Sequence, residues 1–392
     1  MTDLIQTHRS AVDFSDPAFR QAATVMGADL MSEFLMAMAA WQRGLRVEFF
    51  GNQADARVNI DNMKRSSQWP RLFSVSDGNA SHFFEASMGD WTYERLVAAS
   101  RSKALGKQKL LAAGVSTPAG LLSDGTNLSE VERFLTKSDA QYFVIKPDSG
   151  SLGQGVMTQL AKAQVIPMLS TRRNSRTVVE EFVRGTEYRV HVVKDCAIDA
   201  YVRTGIFVVG NGYDSIATLI QRKNAARQEN PYLRKAPINL AQSTIYLGKF
   251  GKNPTMVPVM GERVNLLDVL NISAGGSTHG LASAIPADVA ALAVAANKAL
   301  GLPDSGIDII HDGTRPYVLE LNGKSNIGGH AFPTTGVSGG NAIAEAAIDH
   351  YFPARPGTPI QRRNLPLDCT ELMREFERNG AKARFLLPAL PA

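Results

Sequence analysis

Hydrophobic and polar positions along the chain switch several times between a helical period and a strand period, which predicts a mixed α/β (α+β) fold. Residues 21–44, rich in alanine and methionine, predict a helix, and residues 46–50 predict a strand after it. A second helical pattern covers residues 92–111, and Gly114 provides its stop signal. Residues 1–95 are therefore expected to form an α/β domain that precedes the rest of the chain.

Strands dominate the middle of the chain. The apolar residues 144–147, residues 177–183 and the alternating residues 187–193 each predict a strand. Residues 211–262 are polar and carry four prolines, so they predict a long excursion over a cleft, with one helix near residues 216–227. Ordered segments of this length often act as lids over a functional site.

Regular alternation resumes after this excursion. A helix begins at Pro286, carries an apolar stripe and ends at Gly301. Three further elements are predicted, namely strands at 306–310 and 317–322 and a helix at 341–351. Residues 353–392 are punctuated by prolines and contain one short amphipathic helix, at 369–379.

Composition narrows the class of protein. With 392 residues, 44% hydrophobic and 20% charged, the chain is long enough for two or three packed subdomains. The formal net charge is +5, but no basic run is interleaved with aromatic residues, so anionic small molecules are expected and nucleic acid is not. Cys196 and Cys369 lie far apart, without metal-ligand spacing. The N-terminus lacks a signal-peptide pattern, so a cytoplasmic protein with no membrane partner is expected.

The most informative segment begins where the strand at 144–147 places Lys146 beside a glycine-rich loop. The candidate ligands of this loop are Ser149, Gly150, Ser151, Gly153 and Gly155. The glycines free the backbone to turn its N–H groups inward, and the serines add hydroxyl donors, so the loop can form an anion-binding concavity. This pattern predicts a bound nucleotide, although most glycine-rich turns after strands are only turns.

Two later strands carry oxygen ligands in a pattern that suits magnesium. Glu320 and Asn322 share a face of one strand, and Asp308 on the preceding strand would add a third ligand. A two-residue hairpin loop would put Asp308 on the opposite face, so the metal site requires a longer loop or a bulge. Pro316, which cannot donate to a strand ladder, favours such an irregularity. The alternative is that these side chains line a solvated strand face.

An acidic segment forms a candidate site for a nucleotide base. Glu180 and Glu181 lie near a strand end, and Glu187 begins the alternating strand that follows. Backbone groups of such a strand can pair with the amino edge of adenine, and Glu187 suits hydrogen bonds from ribose hydroxyls. Taken singly, these glutamates are also typical of a protein surface.

In this order the segments resemble the ATP-grasp superfamily of carboxylate-amine ligases, most of all the ligase modules of cyanophycin synthetase and the bifunctional glutathione synthetases. The segments that carry the likeness are 102–118, 146–155, 180–189, 271–276, 306–308, 320–322 and 330–336. The resemblance implies an ATP-grasp fold, in which two α/β subdomains grip ATP, preceded by an α/β N-terminal domain. The implied divisions are 1–95 for the N-terminal domain, 96–183 for the N-subdomain with the glycine loop, 184–352 for the C-subdomain with the magnesium site and 353–392 for a C-terminal extension.

The resemblance also implies roles for single residues. Lys103 and Lys146 would contact the ATP phosphates, Glu180 and the backbone of Glu181 to Val183 would face adenine, and Glu187 would face the ribose. Asp308, Glu320 and Asn322 fall where the superfamily holds magnesium, with two ions expected and Mn²⁺ as an alternative. After Asn322 the relatives commonly continue with a small residue and a Pro-Gly pair, whereas this chain has Gly323, Lys324, Ser325 and Asn326.

These residues predict an enzyme that forms an amide or peptide bond. A substrate carboxylate would attack the γ-phosphate of ATP, and an amine would then displace phosphate from the acyl phosphate. Lys146, Arg189 and Arg203 are the candidate catalytic residues, the arginines by steadying the substrate carboxylate. The expected substrates are small carboxylates and amines, such as amino acids or a short peptide, and a homodimer is an open alternative to a monomer. A phosphotransferase and a nonenzymatic ATP-binding module that regulates a partner are the other functions left open.

Overall fold

The computed structural model describes residues 14, 16–50, 71–92, 102–126, 128–150, 155–268, 270–353 and 384–386. The N-terminal elements are α1 (Pro17–Gln42), β1 (Arg46–Phe50), β2 (Leu72–Ser76), β3 (Ser81–Glu85) and β4 (Met88–Gly89). The predicted first helix and first strand are confirmed, and Gly27 kinks the helix through a φ angle of 60°. Residues Phe19–Gln42 are apolar enough by composition to span a membrane, but 78% of this apolar window is buried inside the protein.

A four-stranded antiparallel sheet carries the glycine-rich loop. This part contains α2 (Lys103–Ala112), β5 (Gly120–Ser123), α3 (Ser129–Lys137), β6 (Tyr142–Pro147), β7 (Met157–Ala161), α4 (Lys162–Ser170) and β8 (Thr177–Glu181). The strand order is β5-β8-β6-β7, and α3 and α4 share a hydrophobic core with the sheet. The helix predicted at 92–111 is not continuous, because Ser102 is extended and caps a helix that begins at Lys103, and residues 93–101 lie outside the described ranges.

The excursion predicted at 211–262 forms a small unit with its own hydrophobic core. The chain passes through β9 (Thr186–Val193) and β10 (Cys196–Thr204) and then forms β11 (Phe207–Val209), α5 (Ile216–Gln228), α6 (Leu240–Gly248) and β12 (Arg263–Asn265). The prediction of one helix is wrong, because α6 is a second helix, capped by the Asn239 side chain. Its serine, threonine, tyrosine and glycine residues have low helix propensity, which hid it in the sequence.

The C-terminal elements complete a six-stranded sheet. They are β13 (Ser277–Gly280), α7 (Ala287–Leu300), β14 (Asp304–His311), β15 (Pro316–Asn322), α8 (Gly328–Ala331), β16 (Thr335–Gly336), α9 (Ala342–Tyr351) and β17 (Arg384–Leu386). The strand order is β15-β14-β9-β10-β13-β16, and α7 packs against one face. The predicted helix that ends at Gly301, the two strands after it and the helix at 341–351 are confirmed. The helix expected at 369–379 lies outside the described residues.

The N-terminal elements are packed against the C-terminal half. Side chains of α1, α8 and α9 belong to one buried cluster, together with residues of β1 and β2. β17 pairs with β1 in antiparallel register and extends the N-terminal sheet to the order β17-β1-β2-β3-β4. The domain divisions expected after residues 95, 183 and 352 stay predictions.

Candidate functional site

A cleft lies where the start of α2, the end of β6 and the end of β15 meet. The polar and glycine residues that line it include Lys103, Lys107, Lys146, Asp148, Ser149, Gly150, Glu320, Asn322 and Lys324. The structure therefore brings together six residues that the sequence singled out, namely Lys103, Lys146, Ser149, Gly150, Glu320 and Asn322. These residues come from distant parts of the chain and share one concave surface.

The two described glycines of the glycine-rich loop have backbone conformations that favour glycine. Gly150 has a φ angle of 137° and Gly155 one of 72°. Lys103 Nζ donates to Gly150 O at 2.9 Å and lies 3.3 Å from Glu320 Oε1, so this lysine links the loop to β15 across the cleft. Ser151 and Gly153 lie outside the described residues.

Asp148 fixes the start of α2 to the end of β6. Its Oδ1 accepts from Ser102 Oγ at 2.8 Å and from Ala104 N–H at 2.9 Å, and its Oδ2 accepts from Arg176 Nε at 3.0 Å. Burial alone would raise the pKa of the Asp148 carboxyl, but these three hydrogen bonds lower it. Asp148 therefore fixes the first turn of α2, which carries Lys103. Asp148 was not among the predicted site residues, although its position beside the glycine loop was an available signal.

One buried carboxylate holds two lysines at the wall of the cleft. Glu180 Oε1 lies 2.5 Å from Lys146 Nζ, and Glu180 Oε2 lies 2.9 Å from Lys107 Nζ. Burial alone would raise the pKa of Glu180, but the two ammonium groups lower it. The trio keeps one excess positive charge, which suits a phosphate group. Lys107 was not predicted, although its spacing of four residues from Lys103 places both on one face of α2.

Two backbone N–H groups at the strand end that was predicted to face a base are already hydrogen-bonded within the protein. Glu181 N–H donates to Ala119 O at 2.8 Å, and Phe182 N–H donates to Tyr142 O at 2.9 Å. The Glu181 carboxylate accepts from Ser138 Oγ at 2.6 Å. Val183 is the second residue after the end of β8 and is half-buried.

A bulge places Asp308 and Glu320 on the same face of the sheet. Asp308 pairs with Glu320, whereas Ile309 pairs with Val318, so Leu319 is an extra residue on β15. The sequence analysis required such an irregularity, and the register confirms it. It lies at Leu319 rather than at the suspected Pro316, which pairs regularly with His311.

Both predicted catalytic arginines are paired with acidic residues on this face. Arg189 donates to Asp308 Oδ1 at 2.6 Å, and Arg203 donates to Glu187 Oε1 at 2.6 Å and lies 3.0 Å from Asp308 Oδ1. Burial alone would raise the pKa of Asp308, but the two guanidinium groups lower it. Burial raises the pKa of Glu187, in spite of Arg203 and with a further contribution from Asp308. Glu187, predicted to face a ribose, is thus part of a charge network.

The predicted metal ligands fit a metal shared with a nucleotide better than one held by protein alone. Glu320 and Asn322 line the cleft, whereas Asp308 is buried with its Oδ1 between two arginines. Across the described ranges no group of three or more His, Cys, Asp or Glu side chains is arranged to hold a metal. Magnesium at nucleotide sites commonly takes one or two carboxylates together with phosphate oxygens and waters.

Comparison with known proteins gives two groups of curated relatives. No protein-family model matches the chain. Glutathione biosynthesis bifunctional protein GshAB of Streptococcus thermophilus is 27% identical over 276 residues, which cover 65% of this chain and 36% of that protein. Cyanophycin synthetase of Trichormus variabilis is 27% identical over 309 residues, which cover 74% of this chain and 34% of that protein. The chain thus spans about a third of the length of these curated relatives.

A solved structure shows the fold. The crystal structure of a bifunctional glutathione synthetase from Pasteurella multocida matches with a TM-score of 0.54 and 22% sequence identity, over 75% of this chain and 41% of that one. The predicted resemblance and the predicted fold class are confirmed, and the chain has the ATP-grasp fold.

Proposed function

We propose that the protein is an ATP-dependent ligase that joins a carboxylate to an amine through an acyl phosphate and releases ADP and phosphate. The observation that carries this proposal is the meeting of Lys103, Lys146 and Gly150 with Glu320 and Asn322 in one cleft. Phosphoryl transfer depends mainly on positioning and charge neutralisation, so it requires no nucleophilic side chain. The similar proteins are named for glutathione biosynthesis and cyanophycin synthesis, and neither product is assigned to this chain.

The phosphate end of the nucleotide would lie against the lysines. Lys103 and Lys146 would contact phosphate oxygens together with the backbone of the glycine loop. Glu180 supports this arrangement because it fixes Lys146 and Lys107 side by side. The base would lie at the end of β8, beside the backbone N–H of Val183, which comes after the last residue of that strand.

Bound magnesium would neutralise the phosphate charge and polarise the transferred group. Glu320 and Asn322 would hold it, with Asp308 directly opposite Glu320 as a third oxygen ligand. Two ions, of Mg²⁺ or Mn²⁺, are included in the proposal. Asp308 would also orient Arg189 and Arg203, whose guanidinium groups would steady the substrate carboxylate. Amino acids or a short peptide are the proposed substrates, and a cytoplasmic location is part of the proposal.

The experiment is an ATP-consumption assay against a panel of amino acids, with the products identified by mass spectrometry. ADP, phosphate and an amide product would support ligation. A stable phosphorylated product would indicate that the protein is a phosphotransferase rather than a ligase. Nucleotide binding without turnover against any acid and amine pair would support the regulatory module instead.

A further inference from the structure

The loop 323–327, which follows β15 at the cleft, is held by the N-terminal part of the protein. Ser87 Oγ donates to Ser325 O at 2.6 Å, and this contact is buried. Ile327 N–H donates to Ser32 Oγ on α1 at 3.1 Å. The N-terminal elements therefore fix the course of this loop along the cleft.

Within this loop, Lys324 presents a cation to the cleft. Its Nζ donates to Glu85 Oε1 on β3, and the Glu85 side chain is 3% exposed whereas that of Lys324 is 38% exposed. An ammonium has three N–H donors, so the bond to Glu85 leaves donors for a group in the cleft. A lysine held in place by a buried carboxylate also loses less conformational freedom when a ligand binds.

Glu33 on α1 interacts electrostatically with both Lys324 and Glu85. This glutamate is buried, with 2% of its surface exposed. Burial raises the pKa of Glu33 to about 7, and Arg71 and Lys324 are the cations that act on it.

We propose that Lys324 is a specificity-determining residue that binds the carboxylate of the amine substrate, an amino acid or a peptide. This inference rests on the proposed ligase function. Lys324 lines the same cleft as Glu320 and Asn322, so a group bound to it would lie beside the place proposed for phosphoryl transfer. Lys103 and Lys146 are the lysines proposed for the phosphates, so Lys324 is a further cation in this cleft.

The test compares amino acids with their C-terminal amides, which keep the amine and lack the carboxylate. Each is titrated by calorimetry into protein saturated with Mg²⁺ and a non-hydrolysable ATP analogue. At least one amino acid should bind about ten-fold more tightly than its amide, and Lys324→Met should abolish this difference without a change in affinity for the analogue. The proposal is overturned if no amino acid is preferred over its amide, or if the preference survives in the variant.

Two further variants separate recognition from simple stabilisation. The exchange Glu85→Lys with Lys324→Glu keeps an ion pair but reverses the charge in the cleft, so it should fold and lack the carboxylate preference. If the exchange restores the preference, the pair only holds the loop. Should Lys324→Met fail to fold, Glu85→Gln with Lys324→Met removes both charges and should give the same loss of preference.

The matched control is Lys252→Met. Lys252 Nζ lies 2.7 Å from Glu262 Oε1, and neither residue lines the cleft, so this variant should keep the preference for the carboxylate. ATP turnover is measured separately. A carboxylate preference without turnover would contradict the proposed ligase function but would still support a carboxylate-binding site at Lys324.

Discussion

Buried carboxyl groups near the cleft and those in the core beneath it have opposite surroundings. Glu180 and Asp308 each lie within 3.0 Å of two cationic side chains, and those cations lower the pKa of both carboxyls against the effect of burial. For Glu33 and Asp304 no ion pair occurs among the described residues, and burial raises the pKa of each to about 7. One oxygen of each, Glu33 Oε1 and Asp304 Oδ1, also lacks a hydrogen-bond partner there.

The difference separates two uses of a buried acid. The carboxylates near the cleft are ionised at neutral pH, since Glu180 is paired with two lysines that line the cleft and Asp308 is paired with two arginines. Neither core carboxyl forms an ion pair within the described part of the chain, so burial keeps both partly protonated at neutral pH and makes the fold sensitive to pH. Ionised groups are therefore concentrated where they can act on a ligand, at a cost in desolvation that their partners offset.

Removal of the charge on Glu180 should have the largest effect on stability. Glu180→Gln leaves Lys107 and Lys146 buried without a counter-ion, so the free energy of unfolding should fall by about 3–5 kcal/mol. Urea denaturation at pH 7 measures this. Glu181→Gln on the same strand is the matched control, because that half-buried carboxylate accepts from a hydroxyl group. A loss below about 1 kcal/mol would show that the lysines do not need Glu180.

Glu320 should matter for turnover rather than for stability. Its side chain is 36% exposed and lies 3.3 Å from Lys103 Nζ, so Glu320→Ala should change the free energy of unfolding by less than about 0.5 kcal/mol. Turnover should fall at least about 100-fold, because a charged oxygen ligand at the phosphate end is lost. Rates measured across a magnesium titration test this. Full activity at saturating magnesium would remove Glu320 from the metal site.

Local patterns in the sequence predicted the strands that build the cleft. Glu320 and Asn322 could be placed on one face because strand side chains alternate, and Lys146 could be placed beside the glycine loop because it ends an apolar strand. The roles of Arg189 and Arg203 could not be foreseen in the same way. Their pairing with Asp308 and Glu187 depends on the order of β9, β10 and β14 in the sheet, which no local pattern contains.

The residues that the sequence analysis missed depend on contacts between elements. Asp148 and Lys107 act only once α2 has docked against the end of β6, and Lys324 meets Glu85 only because the N-terminal sheet packs against the C-terminal half. The position of the bulge at Leu319 is equally nonlocal. Pro316 suggested a bulge at its own position instead. The missing N–H donor of a proline permits such an irregularity but does not require one.

The core carboxyls provide a smaller, pH-dependent effect. The pKa of Glu33 rises from 4.5 to about 7 on folding, so its contribution to stability is fully present below pH 4.5 and is lost as the pH rises through 7. Glu33→Gln cannot ionise, so between pH 5 and pH 8 it should gain about 1–3 kcal/mol relative to the parent protein. Urea denaturation at both pH values measures this gain. Glu132→Gln, on the exposed side of α3, is the control, and equal pH dependence of parent and Glu33 variant would contradict the prediction.

Lys146 should show the smallest change, and in ligand affinity. Lys146→Ala removes one of the lysines proposed to contact phosphate and leaves Lys107 to neutralise Glu180, so the fold should persist. Affinity for ATP should fall about ten-fold, equal to about 1.4 kcal/mol, because Lys103 and the glycine loop still bind the phosphates. Calorimetric titration with a non-hydrolysable ATP analogue measures the affinity. The control is Lys162→Ala, because Lys162 is an exposed residue of α4. An unchanged affinity would mean that Lys146 serves Glu180 rather than the nucleotide, and the excess positive charge of the trio would then have no ligand to explain it.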